Sequence, residues 1–193
     1  MMEWVNTILQ GVMIGGLYAM FAAGLSLIFG VMKLVNVAHG DFIVLAAYVA
    51  LVIINTLGIN PLLSLVIVLP IMAIIGYAIQ RGLLNQTLGD DLLPPLLVTF
   101  GLSIIIQNGL LYFFSADNKR LMAGALEVAH VQFSDVVSIG ILPLLQFVLA
   151  VLVIAGLQFL FFRTAMGRNF RAVSDDPAVA KLMGLNIRHV FGL

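Results

Sequence analysis

The sequence predicts an all-α, polytopic membrane protein with about five transmembrane helices and a polar C-terminal segment. Three observations carry that prediction. Hydrophobic residues fill 62% of the 193 positions and charged residues only 9%, against about 25% charged in a soluble domain. So few charges cannot cover a surface in water, and the bilayer must be the solvent. Five stretches are apolar over roughly the 20 residues a spanning helix needs. None alternates polar and apolar residues as barrel strands do, and backbone groups in hydrocarbon must pair within their own element, which makes these spans helices.

The first span is predicted at residues 7–29. The sequence before it begins M-M-E-W, with an acid where a cleaved secretory signal has a basic region, so this span is expected to be retained. Gly11, Gly15, Ala19 and Ala23 recur every fourth position. Such a row lets helix backbones approach closely. Packing within the chain is expected, with subunit dimerisation as the alternative. The second span is predicted at 40–57 and the third at 61–79, where Pro70 should kink the helix. The fourth is predicted at 94–114. Thr99, Ser103 and Gln107 lie four apart on one face of it, with Asn108 beside them. Helix–helix hydrogen bonding or a polar stripe along a translocation path both fit. The loop at 115–135 is too polar to span. The fifth span is predicted at 136–162, with a second kink at Pro143.

Between the first two spans, Lys33, Asn36, His39 and Asp41 fall within nine positions, next to Gly40. An Asp at the bilayer centre costs about 2.5–3.5 kcal/mol on insertion scales. A solvated turn is one reading. The other is a broken-helix element lining the pathway or acting as a gate, with Asn36 facing a cavity. Leu34, Val35, Val37 and Ala38 make the segment oily for an exposed loop.

Residues 163–190 hold five of the nine basic residues: Arg163, Arg168, Arg171, Lys181 and Arg188. With five spans these share a side with Lys33 and Arg81. The opposite side has only Lys119 and Arg120, among Asp117, Glu127 and Asp135. Basic residues collect on the cytoplasmic side, so the N-terminus is expected outside and residues 163–193 in the cytoplasm, after a membrane region at 1–162. Asp176 suits an N-cap, Pro177 the first helical position and Gly184 a left-handed stop. A short helix at 177–183 follows. It mixes Ala178, Val179, Ala180, Leu182 and Met183 with Lys181, a face suited to docking on another protein.

Much chemistry is not expected. There are no cysteines for disulfides or thiolate metal sites. His39, His130 and His189 are far apart, so no metal site is predicted. A formal charge of +0 argues against nucleic acid. No G-x-x-x-x-G-K-[ST], H-E-x-x-H or G-x-S-x-G is present, so neither an enzyme nor a cofactor site is expected.

Two segments carry a family resemblance. Residues 16–48, G-L-Y-A-M-F-A-A-G-L-S-L-I-F-G-V-M-K-L-V-N-V-A-H-G-D-F-I-V-L-A-A-Y, resemble the N-terminal signature of permease subunits of branched-chain amino-acid ABC importers, most specifically at N-V-A-H-G-D-F. Residues 166–186, M-G-R-N-F-R-A-V-S-D-D-P-A-V-A-K-L-M-G-L-N, are similar to that family's cytoplasmic coupling segment. The resemblance implies an inner-membrane importer: a periplasmic solute-binding protein delivers leucine, isoleucine, valine or a related solute, two permease chains form the path, and two cytoplasmic ATPase subunits drive it. It assigns Gly167, Arg168, Arg171, Ala172, Asp176, Ala180 and Gly184 to the ATPase-docking region. Pro177 and Met183 join them as parts of the same short helix. It assigns Asn36, His39, Gly40 and Asp41 to the family's first junction. Members continue with further spans, so a truncated or partial permease is expected here, its last residues starting the next span. Another cargo (urea, short amides or sugars), an inactive fragment and a self-sufficient secondary carrier remain the alternatives.

Overall fold

The computed structural model describes residues 2–87, 91–117, 119–120, 129–132 and 138–191. In chain order these form α1 (Met2–Met32), α2 (His39–Leu57) and α3 (Pro61–Ile79), which runs on through a π turn (Gln80–Leu84) and a last α turn (Asn85–Thr87). Then come α4 (Leu93–Phe114), a hairpin of β1 (His130–Gln132) and β2 (Ser138–Gly140), and α5 (Ile141–Arg163). Three shorter helices follow: α6 (Ala165–Asp175), α7 (Pro177–Leu182) and α8 (Ile187–Val190). Among the described residues five helices are long and apolar enough to cross a membrane: Trp4–Met32, His39–Leu57, Pro61–Thr87, Leu93–Phe114 and Ile141–Arg163. The protein is thus an all-α, multi-pass membrane protein, with a small antiparallel ladder pairing His130 with Gly140 and Gln132 with Ser138. Side chains such as Val66, Ile74 and Ile105 are exposed, which a helix surface facing lipid requires.

Local chemistry sets the ends of α2 and α3. Gly58 adopts φ 63°, and its N–H closes α2 on the Ile54 carbonyl at 2.9 Å. Asn60 caps α3 by accepting from the Leu62 N–H at 3.0 Å, with Pro61 opening the helix. The helix continues past Pro70 and runs into the π turn at Gln80–Leu84. There the Asn85 N–H bonds the Gln80 carbonyl, and the Gln80 side-chain amide donates to Asn85 Oδ1 at 3.1 Å.

Three expectations are corrected. The fifth helix starts at Ile141, because Ser138–Gly140 is strand; residues 136 and 137 lie outside the described residues. Pro143 therefore sits in the first turn of α5, where a missing N–H has no intrahelical partner to lose and no kink is needed. The outer half of the small-residue row of α1 is not a close contact either: a Cβ on Gly11 or Gly15 would meet nothing within 4 Å among the described residues, while Ala23 of the same row lines a pocket with Ile154 and Leu157 of α5. It is Gly16, one position off the row, that packs against the Phe147 ring of α5.

The chain divides into two compact units, Met1–Leu27 with Met122–Arg168, and Ile28–Leu121 with Asn169–Leu193. In the first, Thr164 turns the corner from α5 into α6. Its hydroxyl donates to the Leu160 carbonyl at 2.6 Å and accepts from the Gly167 N–H at 3.2 Å. Gly167 is required there, since a Cβ would collide with the carbonyl oxygens of Phe161 and Leu160. The second unit holds α2, α3 and α4 with the junction before α2. Its largest fully buried side chains are Leu34, Val173, Thr99 and Ser64.

Candidate functional site

The junction is a strap laid along α4. Helix α1 ends at Met32 and Lys33 turns left-handed at φ 53°. Two of the carbonyls left over at the helix end find donors: Phe29 from the Lys33 N–H at 2.9 Å, and Gly30 from the Ser174 hydroxyl of α6 at 2.6 Å. From Lys33 to Ala38 burial then alternates residue by residue. Leu34, Asn36 and Ala38 are buried; Lys33, Val35 and Val37 are exposed. That period of two is the signature of extended backbone. Asn36 ends the run. Its Oδ1 accepts from the Ala38 N–H at 3.1 Å and its carbonyl from the His39 N–H at 3.2 Å, which starts α2.

The polar face of α4 holds this strap. Thr99, fully buried, accepts from the Val37 N–H at 3.3 Å and donates to the Leu96 carbonyl at 3.0 Å, with the Val35 carbonyl 3.5 Å away. Gln107 donates to Asp41 Oδ1 at 2.9 Å and lies 3.2 Å from Ser103 Oγ. Val37 of the strap meets Thr99 and Asp41 in the first turn of α2 meets Gln107, so the chain runs from strap into α2 in the direction of α4. Gln107 is fourteen residues into the helix, about 21 Å along an element about 33 Å long. Asp41 is therefore paired with a neutral amide well inside the span. Asp41 itself is in the first turn of α2; the non-helical backbone before it meets α4 at Thr99, and such backbone is tolerated in a span where protein buries it or where it lines a cavity.

The structure thus brings Asn36, Asp41, Thr99, Ser103 and Gln107 together. Asn36 and His39 also face α3, where they line a pocket of about 230 Å³. Gly40 is different. It is exposed, and a Cβ there would meet nothing within 4 Å among the described residues.

The second cluster is the polar C-terminal segment. Asp176 caps α7 by accepting from the Ala178 N–H at 2.9 Å and the Val179 N–H at 3.0 Å, with Pro177 opening the helix. The helix closes on Gly184 at φ 87°. The Gly184 N–H bonds the Lys181 carbonyl and the Leu185 N–H the Ala180 carbonyl, both at 3.1 Å, the paired pattern of a Schellman stop. Ala180 faces inward at 2% exposure, while Leu182 and Met183 are 87% and 77% exposed. Phe170 and Val173 bury one face of α6, with Arg171 and Ala172 half-buried beside them and Arg168 exposed.

Sequence reasoning missed Ser174, which ties α6 to the end of α1, and the Gln80–Asn85 pair. A serine in a polar segment carries no distinguishing signal. A five-residue spacing puts Gln80 and Asn85 on no common α-helical face, so only the π turn reveals them.

Comparison with known proteins extends these observations. The family described as branched-chain amino acid transport system / permease component matches residues 7–191. The high-affinity branched-chain amino acid transport system permease protein BraD of Pseudomonas aeruginosa is 27% identical over 99% of this chain and 66% of its own length. Permease protein LivH of Escherichia coli, from a transport system of the same description, is 28% identical over 98% of this chain and 65% of its own. The fructose import permease protein FrcC of Rhizobium meliloti is 32% identical over 67% of this chain and 35% of its own. The chain therefore spans just under two-thirds of the length of the first two. No solved structure matches.

Proposed function

Because the chain belongs to the branched-chain amino acid transport system permease family, we propose that it is a permease subunit of an ATP-driven importer. It moves branched-chain amino acids, handed over by a periplasmic binding protein, across the inner membrane. Residues 1–162 form the membrane region with the N-terminus outside, and residues 163–193 face the cytoplasm. A second permease chain completes the path, and separate cytoplasmic ATPase subunits hydrolyse ATP. The reading rests above all on α7, a capped knob following the fifth span with Val179, Leu182 and Met183 exposed. An apolar patch outside the membrane spans is a docking surface, and here its partner is the ATPase. Gly167, Arg168, Arg171, Ala172, Asp176, Pro177, Ala180, Met183 and Gly184 build or orient that surface. The strap, through Asn36, His39 and Asp41 with Thr99, Ser103 and Gln107, is the gate that the ATPase moves, and Gly40 flanks it.

Co-purification from membranes tests the docking. The wild-type chain should retain its ATPase subunit, and Leu182→Asp or Met183→Asp should release it without lowering the amount of inserted permease. Undiminished retention in both variants would refute this role for α7. A sugar is the second cargo to weigh, because of the 32% identity to a fructose import permease. Uptake of radiolabelled leucine against radiolabelled fructose by the assembled importer separates the two.

A further inference from the structure

The cavity between the end of the third span and the C-terminal segment is polar throughout. It measures about 380 Å³ and is lined by Tyr77, Arg81, Asn85, Gln86, Asn186 and His189. Asn85 and Asn186 also line an adjoining cavity of about 540 Å³, together with Lys181. Among the described residues no carboxylate lines either one. Arg81 is exposed, and its Nη1 donates to the Tyr77 hydroxyl at 2.9 Å. That neutral oxygen steadies the guanidinium without neutralising it. A guanidinium has five N–H donors, so the bond to Tyr77 leaves most of them for a ligand. Height in the bilayer indicates which ligand. Arg81 lies twenty residues after Pro61, about 30 Å along a helix, which is the thickness of the hydrocarbon core. With α3 capped at Asn60 on the far side, Arg81 falls at the level of the lipid headgroups. The same helix face continues into the span. Ile67, Pro70, Ile74, Tyr77 and Arg81 recur at steps of three and four, the spacing of one face. Ile67, Pro70 and Ile74 are exposed and Tyr77 is half-buried. An apolar stripe thus leads out of the hydrocarbon to a cationic cavity, with a tyrosine at the boundary, where its amphipathic ring is favoured.

We infer that this cavity holds the headgroup of an anionic phospholipid whose acyl chain lies along the stripe from Ile74 to Ile67. Arg81 supplies the planar, permanently charged donor that suits a phosphate. The amide side chains around it offer neutral donors and acceptors to a hydroxylated headgroup. Basic pockets at this level of a membrane protein select acidic headgroups. A soluble anion would gain nothing from the stripe, and a zwitterionic lipid would bring an ammonium up to the same cations. Tyr77 and Arg81 belong to the third span, while Asn186 and His189 belong to the cap and body of α8. The bound lipid therefore ties the segment after α7 to that span. The inference goes beyond the importer reading and needs only the membrane spans.

The test is native mass spectrometry of the purified chain extracted from liposomes of equimolar phosphatidylglycerol and phosphatidylcholine. Thermal unfolding in phosphatidylcholine alone is the folding control. Wild type should retain phosphatidylglycerol in preference to phosphatidylcholine. Arg81→Gln should weaken phosphatidylglycerol binding about tenfold, the loss of a charge-assisted hydrogen bond. Tyr77→Phe keeps the ring and drops the hydroxyl that steadies Arg81, and should weaken it about threefold. Arg120→Gln removes a positive charge from the loop after α4 and should bind as wild type does. Glycerol 3-phosphate, the headgroup chemistry without the chains, should not displace the lipid. Equal retention of the two lipids by wild type would overturn the inference, and so would phosphatidylglycerol binding unchanged in both Arg81→Gln and Tyr77→Phe. Displacement by glycerol 3-phosphate would overturn it in favour of a soluble phosphate. Loss of the co-purifying ATPase from Arg81→Gln with lipid binding intact would overturn it in favour of a protein contact.

Discussion

Helix α7 is held by groups no more than five residues away along the chain, whereas the strap is held by side chains 62 to 66 positions distant. The helix is closed at both ends by its own sequence and leaves Val179, Leu182 and Met183 exposed, with Ala180 turned inward. The strap has no regular hydrogen bonding of its own and is shaped by the α4 face beneath it. A self-sufficient knob can engage a partner without unfolding anything. A tethered strap has few alternatives to its resting position, and those few are set by two hydrogen-bonded points, Thr99 and Gln107. That division of labour suits the roles proposed above, an element that receives force and an element that moves.

Charge at the upper tether should break the contrast most severely. Gln107→Glu replaces the donor to Asp41 with a second carboxylate. A hydrogen bond to a charged acceptor is worth about 1.5–3 kcal/mol, and two carboxylates side by side add like-charge repulsion. The unfolding temperature of the purified protein should fall accordingly, with loss of uptake in the assembled importer. An unfolding temperature equal to wild type at neutral pH would remove Gln107 as a tether.

Thr99→Val tests the lower tether at almost constant volume. It strands the Val37 N–H, and an unmade buried hydrogen bond costs about 1–3 kcal/mol. Amide exchange at Val37 should speed up with the loss of stability. Slow exchange retained at Val37 would mean that packing alone holds the strap.

The smallest effect belongs to the helix. Asp176→Ala removes its cap, which costs about 1 kcal/mol in helix stability. The loss should stay local: faster exchange at the Ala178 and Val179 amides, with exchange at Val37 unchanged. Equal acceleration at both places would show that the two regions unfold as one.

The same contrast explains what was legible in the sequence. The ends of α7 are legible because Asp176, Pro177 and Gly184 act on neighbouring backbone, and the spans expected at 40–57 and 61–79 end where Gly58 and Asn60 act in the same way. The start of α5 was misread because Val136, Val137 and Ile139 continue its apolar run, and apolarity alone does not separate β2 from a helix. The polar row Thr99, Ser103 and Gln107 was visible as a face of a helix, but its partner was not. Nothing local joins Thr99 to Val37 or Gln107 to Asp41. Local reading likewise offered Gly11 and Gly15 as the close-packing positions of α1, where the Phe147 ring selects Gly16.

The side of the membrane on which α7 lies decides whether energy from an ATPase can reach the strap at all. The chain has no cysteine, so Lys181→Cys supplies a single reactive thiol on the knob. A membrane-impermeant maleimide should leave it unlabelled in intact spheroplasts and label it fully in inside-out vesicles, with Lys119→Cys giving the reverse. Labelling of the Lys181→Cys protein in intact spheroplasts would put the knob outside the cell and contradict the account.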